Sequence, residues 1–510
     1  MIKNLKTLLS VFMLMIAVGV SAQVTTSSLG GIVLDENGQP LAGATVEAKH
    51  NPSGTLYGAV ANVDGHFTMQ GMRTGGPYTL KVSFIGYRKT VVNDITLQLG
   101  ETYNINVTMQ PGDNMLEDVV VTATKTKFAG EKTGAATNIS NAQIKAMPSV
   151  SRSIADIARV SPYAGSGMSF AGGDGRSTNF TVDGANFNNN FGLSDNLPGG
   201  GSPISLEAIE EMQVVIAPYD LRQTNFVGGG LNAVTKSGTN TFKGTAYTYQ
   251  YNENFRGNTV AGEDLGERAK DRKHVYGAAI GGPIIKDKLF FFGNFEYQKV
   301  PTTATEWKAS ADGQGDASSY VSRTTLSDLE KVSKHVKEKY GYETGSWTNF
   351  PADESNLKFL ARVDWNITRD HKLAVRYNYT KNSYWNAPNG NSTDAGYRNK
   401  TYNRMSVMSM AFANSMYSMD NVVHSFSVDL NSRFGNNMSN QFLATYTSIK
   451  DMRGTNSDIF PFIDIMGGYD VSTGVQDMTP YMSLGYELFT YNNGVNNKIL
   501  TINDNFTYNL

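Results

Sequence analysis

The stretch "KLAVRYNYT" (372–380) sets Leu373, Val375, Tyr377 and Tyr379 on one parity and Ala374, Arg376 and Asn378 on the other. Successive side chains of a strand point to opposite faces, so this alternation predicts a strand with one apolar face. "HSFSVDLNSRF" repeats the pattern with Phe426, Val428 and Leu430 against Ser427, Asp429 and Asn431. "FFFGNFEYQ" places Phe291, Phe295 and Tyr297 opposite Asn294, Glu296 and Gln298. A soluble sandwich gives the same alternation, so pattern alone leaves two architectures open.

The links between strands separate the two. About nine strands are predicted, near 242–253, 274–285, 289–300, 356–367, 372–384, 422–434, 440–451, 482–491 and 497–510. Long links, roughly 254–273, 301–355, 385–421 and 452–481, are interleaved with short ones at 286–288, 368–371, 435–439 and 492–496. Short turns at one end and long loops at the other favour an outer-membrane barrel. Nine is an odd count, and the sequence stops at Leu510 within a strand and without a closing aromatic residue. Single-chain bacterial barrels have even counts, so the expectation is a fragment of a larger barrel.

Composition agrees with a β-rich chain. The 510 residues suggest roughly three domains. Charged residues are 18%, below the usual ~25%, while there are 51 glycines and 51 tyrosines plus phenylalanines. A net charge of −2 offers no basic stripe for nucleic acid. No cysteine is present, which excludes disulfides and thiolate metal sites.

Lys3 and Lys6, the apolar run from Leu8 to Val20 and the small residues Val20 and Ala22 make residues 1–22 a secretory signal peptide cut between Ala22 and Gln23. No later apolar run is long enough for a membrane helix, so a membrane location requires a closed barrel.

Residues 23–111 are predicted to form a small sandwich. Asn37-Gly38 and Asp64-Gly65 are turn signals, and Tyr78, Leu80, Val82 and Phe84 alternate with polar or small residues. "DENG" is a poor calcium loop, lacking further carboxylates at alternate positions. Residues 126–238 are mixed α+β. Ser140 with Gln143 forms a capping box, and Ile154, Ile157 and Ala158 fall at helical spacing. "NFTVDGANFNNNFG" is a strand, a turn at Asp183-Gly184 and an Asn-rich loop. "SLEAIEEMQVVIAP" is a short helix running into a buried strand. Glu210 and Glu211 are adjacent on that helix and face apart, so they make no acid/base pair.

Between these units lies "LEDVVVTATK" (116–125), a strong strand signal without a hairpin partner nearby. It is either an ordinary strand of a neighbouring unit or a segment that pairs with another protein's sheet edge. The sequence holds no nucleophile elbow, no HExxH and no P-loop, and its six histidines are scattered, so no cofactor and no catalytic or metal-binding residues are expected.

The order of signal peptide, small sandwich, valine strand, α+β unit and barrel strands resembles a TonB-dependent outer-membrane receptor with a carboxypeptidase regulatory-like N-terminal extension. "LEDVVVTA", "FTVDGANFNNNFG", "LEAIEEMQVVIAPYD", "GGGLNAVTKSGTNTFKGTAY" and "GGPIIKDKLFFFGNFEYQ" carry the resemblance. The last three are similar to the Oar-like branch. "NFTVDG" stands where the glycan-importing SusC branch has a motif resembling "PLYVIDG".

The resemblance implies a mostly β fold. An immunoglobulin or transthyretin-like sandwich and an α+β plug precede the N-terminal part (239–510) of a 22-stranded antiparallel transmembrane β-barrel. It implies a TonB box at Asp118, Val119, Val120, Val121, Thr122 and Ala123, within the segment 112–125. TonB, driven through ExbB and ExbD, would grip that box in the periplasm, below the outer-membrane lipid. A scarce solute, peptide or glycan, with a surface lipoprotein as a further partner, would bind at the outer face. The plug residues expected there are Asp174, Arg176, Asn186, Asn188, Asn189 and Asn190, although glycine-rich loops such as 171–175 are more often tight turns. An export or surface-assembly channel or adhesin of the Oar type is the alternative.

Overall fold

The computed structural model describes residues 24–112, 119–122 and 135–508, apart from 148, 150–151, 189–196, 199–200, 219, 221–222, 224, 256, 265–271, 303–304, 349, 351, 389–403 and 471–473. Ala22, Gln23, Asp118, Ala123, Asn189 and Asn190 therefore lie outside the described residues.

The first unit is a sandwich. Its strands are β1 (Ser27–Leu34), β2 (Thr45–His50), β3 (Thr55–Val60), β4 (His66–Met72), β5 (Gly75–Ser83), β6 (Thr90–Leu97), β7 (Thr102–Asn104) and β8 (Val107–Thr108). One sheet runs β4-β1-β7 with β8 also on β1, and the other runs β3-β2-β5-β6-β9, where β9 is Val119–Thr122. Tyr78, Leu80 and Val82 are fully buried between them, and Phe84 packs at the margin. The Asn-Gly and Asp-Gly turns form, with Gly38 at φ 77° and Gly65 at φ 75°, a conformation that suits glycine. Neither joins two paired strands, although Leu34 and Pro40 form a single antiparallel bridge across the first turn. β1 and β2, like β3 and β4, lie in different sheets, so each turn carries the chain across the sandwich.

The second unit has one five-stranded sheet, in the order β10-β13-β14-β11-β12. These are β10 (Ala135–Ser140), β11 (Asn179–Val182), β12 (Ala185–Asn186), β13 (Ile209–Ala217) and β14 (Gly230–Thr235). Helix α1 (Asn141–Ala146) carries the Ser140–Gln143 capping box, and α2 (Ile154–Ala158) buries Ile154, Ile157 and Ala158. Glu210 and Glu211 belong to strand β13 rather than to a helix. Leu206–Ala208 makes one 3-10 turn and the chain is extended from Ile209. The two carboxylates still face apart, now because strand side chains alternate.

The third unit is a single antiparallel sheet of eight strands in chain order. They are β15 (Lys243–Tyr251), β16 (Lys273–Ile285), β17 (Leu289–Val300), β18 (Glu354–Asn366), β19 (His371–Asn386), β20 (Tyr417–Phe434), β21 (Met438–Gly454) and β22 (Gly494–Tyr508). Among the described residues the count is eight, not the nine expected. Segment 482–491 is the error. Val475–Leu484 pairs with Ile463–Asp470 and Met410–Ala411 in a separate sheet of three strands. Met482 and Leu484 are buried there with Leu329, Phe412 and Met416. The link to β22 is thus a long one, 455–493, and no short link forms at 492–496. Long links (252–272, 301–353, 387–416, 455–493) then alternate strictly with short ones (286–288, 367–370, 435–437).

The long links are themselves packed. Helix α3 (Leu326–Tyr340) is capped by Thr325 and ended by Gly341 at φ 70°, and it buries Leu329 and Val336 in the apolar cluster just described. Arg404 is fully buried on Asp464, at 2.7 Å, which pins two long loops together.

The exposed face of the eight-stranded sheet is the apolar one. Phe295, Phe359, Phe426, Tyr446 and Leu500 are 45%, 41%, 43%, 41% and 67% exposed. They form a cross-strand belt through the register Phe295↔Phe359, Phe426↔Tyr446 and Tyr446↔Leu500. The other face buries Glu296, Lys358, Arg376, Asn378, Ser425 and Asn503. A soluble sandwich buries its apolar face, whereas a membrane barrel shows it to lipid and keeps the polar face inside. The soluble alternative is therefore excluded. No helix among the described residues is long and apolar enough to cross a membrane.

Candidate functional site

The five-stranded unit packs on the polar face of the large sheet. Its core of Phe170, Phe180, Phe187, Ile209 and Met212 continues into Phe292, Leu360, Val423 and Ile449 of the large sheet. By its place on that polar face it is the unit expected as the plug, and two polar clasps fix it there.

The first clasp centres on Glu296 of β17. Lys358 Nζ lies 2.9 Å from Glu296, and the side chains are each 5% exposed. Tyr247 and Ser205 hydroxyls donate to the same carboxylate at 2.9 and 3.0 Å. Arg152 of the plug stands at ion-pair distance from Glu296, 3.5 Å, and from Glu207, 3.7 Å. Its guanidinium also lies 3.9 Å from the centre of the Tyr249 ring. Arg152 has φ 54°, an uncommon value for a residue with a side chain. One buried carboxylate thus answers two cations, one on each side of the plug–sheet boundary.

The second clasp centres on Asp183, whose φ of 45°, with Gly184 at 77°, makes the tight turn between β11 and β12. Its carboxylate accepts from Thr235 N and Oγ1 at 2.9 and 2.6 Å. It faces Arg362 and Arg376 of the large sheet, each at 3.5 Å. Arg362 donates to Asp364 twice, at 3.0 and 2.9 Å, and to Thr235 O at 2.9 Å. Arg73 of the sandwich lies 3.6 Å from Asp364 and donates to Ser237. All three units therefore meet in one network.

The sandwich sits at the short-turn end. Asn366 donates to Thr55 Oγ1 at 3.0 Å, Thr25 donates to Asp429 at 2.8 Å, and Arg369 pairs with Glu47. Leu99, just past β6, gives both main-chain groups to the plug. Its N–H donates to Glu211 Oε1 at 3.0 Å, and its carbonyl accepts from Gln213 at 2.7 Å and Asn138 at 3.1 Å. Burial, with Glu210 and Glu101 nearby, lifts the Glu211 carboxyl to about 8 against the pull of the Leu99 N–H. The carboxyl is therefore held neutral, and this contribution to stability is full below about 4.5 and lost progressively as pH rises towards 8. Thermal unfolding of the protein is expected to shift downward across that window, and Glu211→Gln should flatten the dependence. A Glu211→Gln profile as steep as that of the parent would contradict this.

The residues singled out in the sequence have distinct fates. Val119–Thr122 is not a strand of the plug. It pairs in parallel with β6 of the sandwich, in the register Thr90↔Val119 to Asn93↔Thr122. Asp174 and Arg176 pair with each other at 2.6 Å on an exposed 3-10 turn, and the neighbouring cation draws the Asp174 carboxyl down to about 2. Asn186 and Asn188 point their amides at Asn179 Oδ1, at 3.3 and 2.9 Å, and Asn188 Oδ1 accepts from Phe180 N at 2.7 Å. Those asparagines hold the plug turn. Nothing in the local sequence marks Arg152, Lys358, Arg362 or Arg73, and Glu296 is visible only as a polar-parity residue of its strand. Asp183 was visible only as a turn residue.

His50 and Ser53 make no catalytic pair. His50 Nδ1 lies 2.7 Å from Ser53 Oγ, but both are buried in the sandwich. Burial, with Arg73 nearby, lowers that histidine to about 3, so it stays neutral. Among the described residues, no cluster of His, Asp and Glu could hold a metal.

Residues 234–510 match the outer membrane β-barrel domain family, and residues 28–110 match the carboxypeptidase regulatory-like domain. The TonB-dependent transporter Oar of Myxococcus xanthus is 27% identical over 398 residues, covering 72% of this chain and 34% of that relative. The chain thus spans about a third of that relative's length. A TonB-dependent receptor of Formosa agariphila is 29% identical over 149 residues, or 29% of this chain and 14% of the relative. The crystal structure of the outer membrane transporter YddB from Escherichia coli aligns with TM-score 0.44 at 13% identity, over 73% of this chain and 44% of that one. These relatives are transporters and receptors, not enzymes.

Proposed function

The chain belongs to the outer membrane β-barrel domain family and to the TonB-dependent receptors, and on that premise we propose that it takes up a scarce solute, peptide or glycan through a plugged barrel. The observation that carries the proposal is the inverted sheet, apolar outside, with a plug clasped to its polar face. In this reading the eight strands are the first of 22, the long loops face outward, and the short turns, sandwich and TonB box face the periplasm. The outer membrane has no nucleotide supply, so work must arrive mechanically. TonB would take Val119–Thr122 as an added strand, because main-chain pairing suits an extended β-branched segment. Ligand bound on the outer face would alter plug order and so bias the box, which couples the two sites through one two-state element.

The test compares uptake of isotopically labelled peptides and oligosaccharides in the parent, a receptor deletion and a TonB deletion. Loss of the same compounds in both deletions is expected. Undiminished uptake with accumulation of secreted protein in the periplasm would favour the export channel instead.

A further inference from the structure

We infer that the sandwich is a latch that holds the TonB box closed, a proposal that rests on the box assignment above. In its sheet, β6 pairs with β5 on one side and with Val119–Thr122 on the other. Without that segment, the main chain of Thr90, Val91, Val92 and Asn93 would be an open edge, available to any extended strand. A segment that offers its main chain to TonB and a sheet edge that already takes that main chain are competitors for the same hydrogen-bonding groups.

The tether favours the internal partner. Arg88 N donates to Gln110 O at 2.9 Å, and Gly112 N donates to Gly86 O at 3.3 Å, so the chain leaves the sandwich beside the start of β6. Only six residues, 113–118, separate that exit from Val119. A tether that short keeps the segment at an effective concentration of order millimolar at β6. The pairing is nonetheless weak enough to release. It covers four residues, it is parallel, and Asp94, with φ 64°, follows at once. Leu99, at the other end of β6, is bound by the plug residues Glu211, Gln213 and Asn138, which gives the plug a hold on the strand that carries the latch.

A latch closed nine-tenths of the time lowers apparent affinity for TonB about tenfold. The test uses Val91→Cys with Val120→Cys, which are Cα partners, and residues 1–510 hold no other cysteine. Adjacent strands lie ~4.8 Å apart, within the disulfide range of ~4.4–6.8 Å. Oxidation of the receptor in outer-membrane vesicles should form the bond. It should reduce capture of purified TonB periplasmic domain at least tenfold, with recovery on reduction. Asn93→Cys with Thr122→Cys is the second pair and serves if the first fails to assemble. Failure of both assembled pairs to crosslink overturns the latch and leaves the box assignment standing. A bond that forms without any loss of TonB capture overturns the box assignment, and with it the inhibitory role.

Discussion

Replacing Val120 with proline is expected to abolish capture of the TonB periplasmic domain while leaving the amount of receptor in the outer membrane unchanged. If Val119–Thr122 acts through main-chain pairing, the damage comes from the backbone. Proline deletes one N–H and fixes φ near −65°. A lost ladder bond and a clash together cost on the order of 2–3 kcal/mol, roughly thirty- to a hundred-and-fiftyfold in affinity. Val120→Ala keeps the donor and should weaken capture only severalfold. The same pair of variants separates a TonB strand from a merely structural one. The sandwich core of Tyr78, Leu80, Val82 and Ile95 belongs to the strands before residue 100, so loss of the β9 pairing leaves it intact. A drop in abundance that accounted for the whole defect would instead make the segment an essential strand of the sandwich.

Glu296→Ala is expected to be the most damaging single change at the plug boundary. It would leave Lys358 and Arg152 facing each other with their shared carboxylate gone, Lys358 being 4% exposed. Breaking a buried pair from one side costs about 3–5 kcal/mol, whereas replacing both members by apolar residues of similar size is often close to neutral. The plug should therefore loosen in Glu296→Ala, seen as faster proteolysis between 135 and 235 and as leakage of large solutes into cells. Glu296→Met with Lys358→Met should recover much of the loss. A single variant as tight as the parent would mean that the clasp contributes nothing to plug retention.

The parts legible in the sequence were those set by short-range physics. Alternation at Leu373, Val375, Tyr377 and Tyr379 marks β19 because a strand has period two. Ser140 and Gln143 mark the start of α1 because a capping box is local. Alternation cannot say which sheet a strand joins, and so 482–491 was mistaken for a barrel strand although Met482 and Leu484 pack among the long loops. Nor can a turn signal say whether its strands pair. Asn37-Gly38 turns the chain between sheets, not within a hairpin. The clasps were illegible for a stronger reason. Arg152 meets Glu296, and Asp183 meets Arg362 and Arg376, across more than a hundred residues in each case. The Asn-rich loop was conspicuous in composition, yet Asn186 and Asn188 are committed to Asn179 inside the plug.

A photoreactive residue placed at Thr122 in the receptor of living cells tests the central claim most directly, because that position lies in the segment assigned to TonB and opposite Asn93 of β6. Irradiation is predicted to yield two products, an adduct with TonB that disappears in a TonB deletion strain and an internal adduct with the sandwich. Recovery of the internal adduct alone, at normal receptor abundance and with TonB present, would contradict the account.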